Sequence, residues 1–209
     1  MKSKYYSLKI CGIIIITFIL QIILSNFTER FILNSASWSE PWRFITSIFL
    51  HGGVVHLLYN LLALLIFGLI LEKFIGSFRF LIVFLISGIL ANLISVNFYS
   101  SSLGASGAIF GVIGALIILR PTMPVWAFGL PMPIFIAGIL WSAGDLLGAY
   151  GFLTGNPMGN TGNIAHLSGM FFGFILGFLF RGIIERQKKK INVSLDEGEV
   201  RNWEDVYLK

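Results

Sequence analysis

The sequence predicts an all-α membrane protein in which six transmembrane helices form one bundle. Hydrophobic residues make up 56% of the 209 residues and charged residues only 12%, a composition far from that of a soluble domain. Apolar runs recur along most of the chain, and each membrane span needs about 20 mainly apolar residues. Six spans and their short loops therefore use most of the length and leave no room for a separate soluble domain.

The runs of apolar residues divide the chain into a membrane domain, residues 1–187, and a polar tail, residues 188–209. We predict spans at residues 10–25, 53–72, 79–97, 106–119, 134–150 and 164–183. The tail has low hydrophobicity and mixed charge, which predicts a solvated cytoplasmic segment. Its basic run, Lys188 to Lys190, is also suited to contact with anionic lipid.

The first span follows three lysines and resembles a secretory signal. The residues after its apolar run, Ser25-Asn26-Phe27, offer no small-x-small cleavage site, and further spans follow. We therefore interpret it as a signal anchor. Cys11 is expected to be a small apolar filler within this span.

The first loop is the longest connection and carries Trp38 and the pair Trp42-Arg43. It also contains a short apolar piece, Phe44 to Leu50, which is too short to cross a membrane. We expect this loop to lie at the membrane interface.

The second span places His56 and Asn60 four residues apart, so both lie on one face near one helix end. Side chains of these types can donate hydrogen bonds to a developing oxyanion. The alternative is a hydrogen bond between helices, and for His51 in the preceding loop this structural role is the better interpretation.

The fourth span opens with Gly104-Ala105-Ser106-Gly107 and is short. From Gly107 to Leu119 it has only 13 residues, about 20 Å of helix against a hydrocarbon core of about 30 Å. The preceding loop must therefore dip into the membrane, where irregular backbone is tolerated only if it is buried in protein or lines a wet cavity. Ser106 would then lie in a water-filled pocket beside the free N–H groups of a helix start, as a nucleophile needs; alternatively it merely caps the helix.

The sixth span presents His166 on a face that is otherwise almost entirely glycine. Glycines recur on this face and on the fourth span at steps of three or four, which lets two membrane helices approach closely. They are Gly162, Gly169, Gly173 and Gly177 in the sixth span, and Gly104, Gly107, Gly111 and Gly114 in the fourth. If these faces pack together, Ser106 and His166 meet, as a serine activated by an adjacent base requires. A lone histidine on an apolar face is more often a satisfied core residue, so the prediction depends on the joint placement.

Asp145 is the only acid well inside a span, near one end of the fifth. It can orient His166 as a third catalytic member, or it can cap and anchor its helix. We favour the structural role, because the distance to His166 cannot be obtained from the sequence.

The three histidines do not form a metal motif. His51 and His56 are five residues apart without an accompanying carboxylate, which differs from the His-Glu-x-x-His arrangement. We predict no metal and no cofactor.

Basic residues predict the orientation of the chain. Lys and Arg occur at the amino terminus, in the second and fourth loops and in the tail, whereas residues 98–105 and 151–163 contain none. By the positive-inside rule both termini are cytoplasmic and the first, third and fifth loops face outward. We therefore expect a multi-pass cell-membrane protein whose active site opens to the outer side.

Taken together, these residues resemble the rhomboid family of intramembrane serine proteases over nearly the whole chain. The likeness is carried by Trp42-Arg43, His56-x-x-x-Asn60, Gly104-x-Ser106-Gly107 and Ala165-His166-x-x-Gly169, in this order and spacing. One departure is Phe110, four residues after the serine, where rhomboids often have tyrosine. Its ring can still pack on the histidine.

The resemblance implies a six-helix rhomboid bundle with a Ser106–His166 dyad and no acidic third member. It also implies an oxyanion hole from His56, Asn60 and the Ser106 backbone N–H, with Gly104 shaping the loop. The fifth span and the loop after it would gate lateral access of substrate, which involves Trp141 and the stretch Gly151 to Thr161.

The expected function is hydrolysis of peptide bonds in or near transmembrane segments of other membrane proteins. The competing hypothesis is a rhomboid-like protein that binds membrane helices or acts in quality control without cutting them. A transporter or channel would place polar residues through the whole membrane depth. The expected partners are transmembrane substrates and lipid, with no nucleic acid; the oligomeric state is not predicted.

Overall fold

The computed structural model describes residues 5–156, 162–182 and 185. The polar tail predicted for residues 188–209 lies outside the described residues, as do positions 157–161 of the predicted gating stretch. Within these residues, five helices are long and apolar enough to cross a membrane: α1 (Tyr6–Ile23), the continuous helix Val54–Ile75, α6 (Ser77–Ser95), α8 (Ile134–Leu153) and α9 (Asn163–Gly182). A sixth apolar helix, α7 (Ser106–Leu119), has 14 residues. The all-helical membrane fold is confirmed, and each predicted span coincides with one of these helices to within a few residues.

The second span is not a uniform α-helix. It consists of α4 (Val54–Ala63), a π-helical segment (Leu64–Gly68) and α5 (Leu69–Ile75). A Cβ atom on Gly68 would lie 3.2 Å from the Ser7 Cβ, so the glycine lets α1 approach this segment closely.

The first loop contains short elements that pack against the bundle. They are α2 (Phe27–Phe31), β1 (Leu33–Asn34), a 3₁₀ turn (Ser35–Trp38), α3 (Arg43–Thr46) and a second 3₁₀ turn (Ser47–Phe49). Its apolar piece turns inward, and Ile48 and Leu50 are fully buried. Strand β1 pairs antiparallel with β2 (Ser101–Ser102), so the first loop is joined to the loop that precedes α7.

The fourth loop forms a β-hairpin that the sequence analysis did not anticipate. Strands β3 (Pro124–Ala127) and β4 (Leu130–Pro133) pair antiparallel around Phe128 and Gly129, which both have positive φ, as a two-residue turn of type I′ requires. Val125 and Ala127 are buried in the main core, whereas Trp126 points outward with 75% of its surface exposed.

Helix α7 lies at the centre of the bundle. Its residues from Gly107 to Leu116 are buried, except for the partly exposed Phe110. The helix packs against α6, the second span, α8 and α9, so most of this short helix is enclosed by protein.

The outer surface of the bundle is apolar. Large hydrophobic side chains such as Ile22, Val55, Phe78 and Leu179 are 60 to 70% exposed. An apolar exterior is unfavourable in water but matches hydrocarbon, which is the expected solvent for these faces.

Candidate active site

Helices α7 and α9 are in direct backbone contact through glycines. A Cβ atom on Gly169 would lie 2.0 Å from the Gly107 carbonyl oxygen, and one on Gly173 would lie 2.1 Å from the Gly111 carbonyl oxygen. A Cβ on Gly107 would in turn approach the Ala165 carbonyl oxygen to 3.3 Å. The residues adjacent to Ser106 and His166 therefore touch, which brings the serine and the histidine to the same end of the two helices.

Ser106 is the first residue of α7 and is half-buried. The N-cap position is occupied by Ala105, and no side chain caps this helix end. Because the first N–H groups of a helix have no partner within it, those around Ser106 are free to stabilise negative charge. The hypothesis that Ser106 merely serves as the N-cap does not fit this arrangement.

The imidazole of His166 is held from two sides. The Phe110 ring, one turn after Ser106, is stacked on it with ring centroids 4.3 Å apart and an interplanar angle of 5°. The His166 Nδ1 lies 3.0 Å from the Asp145 carboxylate oxygen, at hydrogen-bonding distance. His166 Nε2 is thereby left available for a serine.

Between Ser106 and His166 themselves, no hydrogen bond is formed. Hydrogen bonds between catalytic groups are often long before substrate binds and tighten in the reacting complex. Ser106 and His166 thus lie at the same end of two adjacent helices, with no hydrogen bond between their side chains.

Gly104 brings His56 next to the serine loop. It has φ +124°, a conformation that favours glycine, and a Cβ atom here would lie 2.7 Å from the His56 Cε1 and 2.9 Å from its Nε2. The imidazole therefore lies directly over the backbone two residues before Ser106. The Gly52 N–H donates a long hydrogen bond of 3.5 Å to the His56 Nδ1, which leaves Nε2 as the nitrogen that carries the proton.

Asn60 is buried on the same helix, one turn from His56. Its amide nitrogen donates to the His56 carbonyl oxygen at 2.9 Å. This bond orients the side chain within α4, and no hydrogen bond joins Asn60 to Ser106.

The Trp42-Arg43 segment supports the loop that carries Gly104. The Arg43 guanidinium forms an ion pair with Glu40 and donates to the carbonyl oxygens of Glu29 and Ile32 at 2.7 and 2.9 Å, which folds the first loop. The Ser47 hydroxyl donates to the Arg43 carbonyl at 2.6 Å, and the Ser47 carbonyl accepts from the Gly104 N–H at 2.9 Å. A polar chain of contacts thus joins this motif to the serine loop.

Tyr99 is a supporting residue that the sequence analysis missed. Its hydroxyl oxygen accepts a hydrogen bond from the Ile164 N–H at 3.1 Å, at the start of α9, and its ring lies 4.9 Å from that of Phe152. A tyrosine in a polar loop gives no signal of this kind in the sequence. Asp145 was recognised as a candidate, but its proximity to His166 was not predicted.

Trp141, predicted to act in gating, connects α8 with the second span. Its ring contacts that of Phe67 in the π-helical segment at 5.9 Å, edge to face. It also lies 6.2 Å from the ring of Phe128 at the tip of the hairpin.

His51 is next to His56 but is more deeply buried. Only 2% of its surface is exposed, and its ring centroid is 5.0 Å from that of His56. Burial, together with the positive charge that His56 carries when protonated, lowers the pKa of His51 to about 4, so its ring is neutral at physiological pH. Over the part of the chain that the structure describes, no group of three His, Cys, Asp or Glu side chains is placed to hold a metal ion.

Comparison with known proteins bears on the same region. Residues 38–183 match the family model of the rhomboid domain. The chain is 37% identical over 142 residues to RHOMBOID-like protein 4 of Arabidopsis thaliana, covering 67% of this chain and 34% of that protein. It is 38% identical over 135 residues to the rhomboid protease GluP of Bacillus subtilis (strain 168), covering 64% and 25%. It is also 34% identical over 146 residues to the putative rhomboid protease YdcA of the same bacterium, covering 67% of each.

The chain thus spans about a third of the length of RHOMBOID-like protein 4 and a quarter of GluP. The matched domain begins within the first loop and ends at residue 183, so it includes Ser106, His166 and the residues around them. The resemblance seen in the motifs is confirmed: this chain is a multi-pass membrane protein that belongs to the rhomboid family.

Proposed function

We propose that this protein is an intramembrane serine endopeptidase that hydrolyses peptide bonds in or near transmembrane segments of other membrane proteins. The observation that carries the proposal is the close contact of α7 and α9 at Gly107 and Gly169, with His166 stacked on Phe110 one turn from Ser106. Two relatives of this family carry the name of rhomboid protease, which supports the same chemistry.

The reaction follows from the chemistry of a serine and an adjacent base. Ser106 Oγ attacks the scissile carbonyl carbon while its proton passes to His166 Nε2, and the carbonyl electrons move onto oxygen. When the carbonyl re-forms, the C–N bond breaks and the leaving amine takes the proton from Nε2. Water then repeats the sequence on the acyl-enzyme, and the serine is regenerated.

The oxyanion formed in each step needs hydrogen-bond donors. We assign this role to the Ser106 backbone N–H, the His56 Nε2–H and the Asn60 side chain. Ser106 begins α7, and the other two residues lie on α4, where His56 is next to Gly104 in the loop before α7. Such donors act strongly where water is limited, and removal of one typically costs about 10²- to 10³-fold in kcat.

The substrate class follows from the location of the site. A peptide bond locked in a helix is not extended for attack, so a transmembrane segment that unwinds easily should react preferentially. We assign lateral access to α8 and the loop after it, with Trp141 at the contact to the second span.

We place both termini in the cytoplasm and the site towards the outer side of a cell membrane, because Lys and Arg occur at the amino terminus, in the second and fourth loops and in the tail, whereas residues 98–105 and 151–163 contain none. Reporter fusions after residues 120 and 156 test this topology: the first should report a cytoplasmic location and the second an external one. The reverse result would contradict the assignment.

The direct test is cleavage of a test transmembrane substrate by the purified full chain in detergent. Wild type should cut, while Ser106→Ala and His166→Ala should be inactive. Ser168→Ala is the matched control, since the Ser168 hydroxyl donates to the Ile164 carbonyl at 2.7 Å within α9 and the variant should retain activity. Wild-type protein that binds several substrates without cutting them would favour a membrane-helix binding protein instead.

A further inference from the structure

The β3–β4 hairpin exposes three large apolar side chains, although it lies outside the helices that cross the membrane. Trp126, Phe128 and Leu130 are 75%, 61% and 61% exposed. Val125 and Ala127 alternate with Trp126 along β3, point the other way and are buried in the main core. Residues 121–133 include no charged side chain. An exposed apolar surface of this kind indicates contact with a partner or with lipid rather than with water.

The turn of the hairpin carries an aromatic residue at a position where the backbone disfavours one. Phe128 has φ +53°, a left-handed conformation that Asn, Asp or Gly adopts more easily in a two-residue turn. Most of the Phe128 surface is exposed, so packing within the protein accounts for only a small part of the ring. Neither the turn nor the core explains a phenylalanine here, whereas an apolar surrounding does.

The hairpin folds back along α8 instead of extending away from the bundle. Its base is fixed to the start of the helix, because the Ile134 N–H donates to the Met123 carbonyl oxygen at 2.8 Å. At its tip, the Phe128 ring centroid lies 6.2 Å from that of Trp141, which is about two turns after the first residue of α8. The tip therefore lies beside the fifth span, at a level that lipid surrounds.

Prolines remove backbone donors from the outer edges of the hairpin. A two-residue turn is closed by a hydrogen-bonded residue pair and the pairs alternate from there, so the pairs Pro124–Pro133 and Trp126–Pro131 direct their backbone groups outward. Three of these four residues are prolines, which have no N–H. Edge prolines prevent pairing with another strand, and they also avoid unpaired donors where water is scarce. The outward carbonyl oxygens remain, which suits the interfacial region of a bilayer better than its hydrocarbon centre.

Basic side chains lie at the end of the bundle where the hairpin begins. Arg120 is exposed, and its guanidinium lies over the Phe74 ring, 4.5 Å from the ring centroid. Lys73, next to Phe74 in the chain, is also exposed. Lipid phosphates are the anionic groups that such side chains meet at a membrane surface.

We propose that the β3–β4 hairpin is a lipid-binding element seated in the interfacial region of the bilayer. Trp126, Phe128 and Leu130 contact the upper part of the acyl chains, and Arg120 lies at the level of the phosphates. Phospholipid is the occupant because the exposed residues continue the apolar outer surface of α8 and because the adjacent charges are basic. Aromatic side chains are enriched at this depth of a membrane. The placement holds for either orientation of the chain and whether or not the protein is a protease.

The experiment places one thiol-reactive fluorophore on the full chain in vesicles of phosphatidylcholine and phosphatidylglycerol. In a Cys11→Ala background, Trp126→Cys and Leu130→Cys report on the hairpin. Ile16→Cys, an exposed position in the middle of α1, is the reference for hydrocarbon, and Glu185→Cys, an exposed charged position, is the reference for water. The quenchers are lipids with a spin label near the headgroup, lipids with a spin label near the chain end, and iodide in the aqueous phase.

The two hairpin probes should lose most fluorescence to the spin label near the headgroup. Ile16→Cys should respond most to the chain-end label, and Glu185→Cys should respond most to iodide. A check without the fluorophore uses tryptophan emission: the headgroup-level label should quench wild type more than Trp126→Phe. Equal quenching of these two proteins would show that the fluorophore carried the hairpin into lipid, and the proposal would fail.

The remaining results overturn the proposal in different ways. Hairpin probes that respond to iodide as Glu185→Cys does, and not to either spin label, would place the hairpin in water. Probes protected from all three quenchers would show that protein covers the hairpin. The cover is a second copy of this chain if lipid quenching appears in lipid discs that hold one chain, and it is the polar tail if quenching appears after removal of residues 188–209. The thermal midpoint of each variant identifies any that does not fold, and the two hairpin positions report independently.

Discussion

The contact between α7 and α9 predicts that one added methyl group will abolish most of the activity. In Gly169→Ala the new Cβ would lie 2.0 Å from the Gly107 carbonyl oxygen and 2.8 Å from the carbonyl carbon. Ordinary contact begins at 3.4 Å, so the helices must separate by at least about 1.4 Å at this point. Both clashing atoms belong to backbone, which cannot avoid the methyl by rotating a side chain.

The separation acts on the reacting atoms because Ser106 and His166 lie on these two helices, beside the contact. A misplacement of about 1 Å can cost about 10²-fold in rate, so we expect kcat to fall at least about 100-fold. Overpacking typically costs a further 1–3 kcal/mol of stability, roughly, so the thermal midpoint should also fall.

The assay is cleavage of the transmembrane substrate, with the thermal midpoint measured on the same preparations. Gly12→Ala is the control, since a Cβ there meets nothing within 4 Å. Gly177→Ala provides an intermediate case, because its nearest neighbour would be the Ile118 Cβ at 3.0 Å. Wild-type cleavage by Gly169→Ala would refute the contact, and an equal loss in Gly12→Ala would show that the substitution acts elsewhere.

Three further predictions concern the loop before α7 and two buried ionisable groups. Gly104→Ala should reduce kcat at least about 10-fold, because the methyl lies 2.7 Å from the His56 ring at a φ of +124° and displaces the proposed oxyanion donor. Glu72→Ala should lower the thermal midpoint strongly, because this buried carboxylate accepts hydrogen bonds from the Tyr6 and Ser7 N–H groups and the Ser77 hydroxyl, each worth about 1.5–3 kcal/mol. Acid should destabilise the protein through His51, because the fold lowers the pKa of this side chain from 6.5 to about 4. Above pH 6.5 the ring is neutral in both the folded and the unfolded chain, and between pH 6.5 and 4 only the unfolded chain takes up a proton. The free energy of unfolding should therefore fall over this range, by roughly 3 kcal/mol in total.

Each of these has its own check. Gly53→Ala, which meets nothing within 4 Å, should leave cleavage unchanged, and wild-type kcat in Gly104→Ala would contradict the placement of His56. Glu185→Ala removes an exposed pair with Arg181 and should change the thermal midpoint little, so an equal effect of both glutamates would contradict the buried role of Glu72. His51→Phe should make the stability less dependent on pH between 6.5 and 4, and an unchanged pH profile would exclude His51 as the cause.

The membrane helices, and the close packing of the fourth span on the sixth, could be predicted from the sequence. Hydropathy predicts spans because the bilayer core has a fixed thickness and every backbone polar group within it must be paired. Glycines at steps of three and four predict close helix packing, and the only histidine in such a face is a natural candidate for a base. These signals are local, so one sequence is sufficient to recognise them.

Two kinds of feature could not be predicted: one local hairpin, and contacts between distant parts of the chain. The stretch that forms the β3–β4 hairpin, including its Phe128-Gly129 turn, has no charged residues, so its composition did not distinguish it from the apolar spans on either side. The hydrogen bond from the Ile164 N–H to Tyr99 joins residues 65 positions apart, and no periodicity reports it.

Asp145 illustrates most clearly the difference between what a local sequence pattern predicts and what depends on helix packing. Hydropathy alone places an acid in the fifth membrane helix and a histidine in the sixth. Which face of α8 turns towards α9, and how the two helices are aligned along their axes, determined whether the two side chains meet. The contact between them therefore depends on the fold, because helix rotation and axial alignment are set by packing across the whole bundle rather than by the segment that joins these residues, which are 21 positions apart.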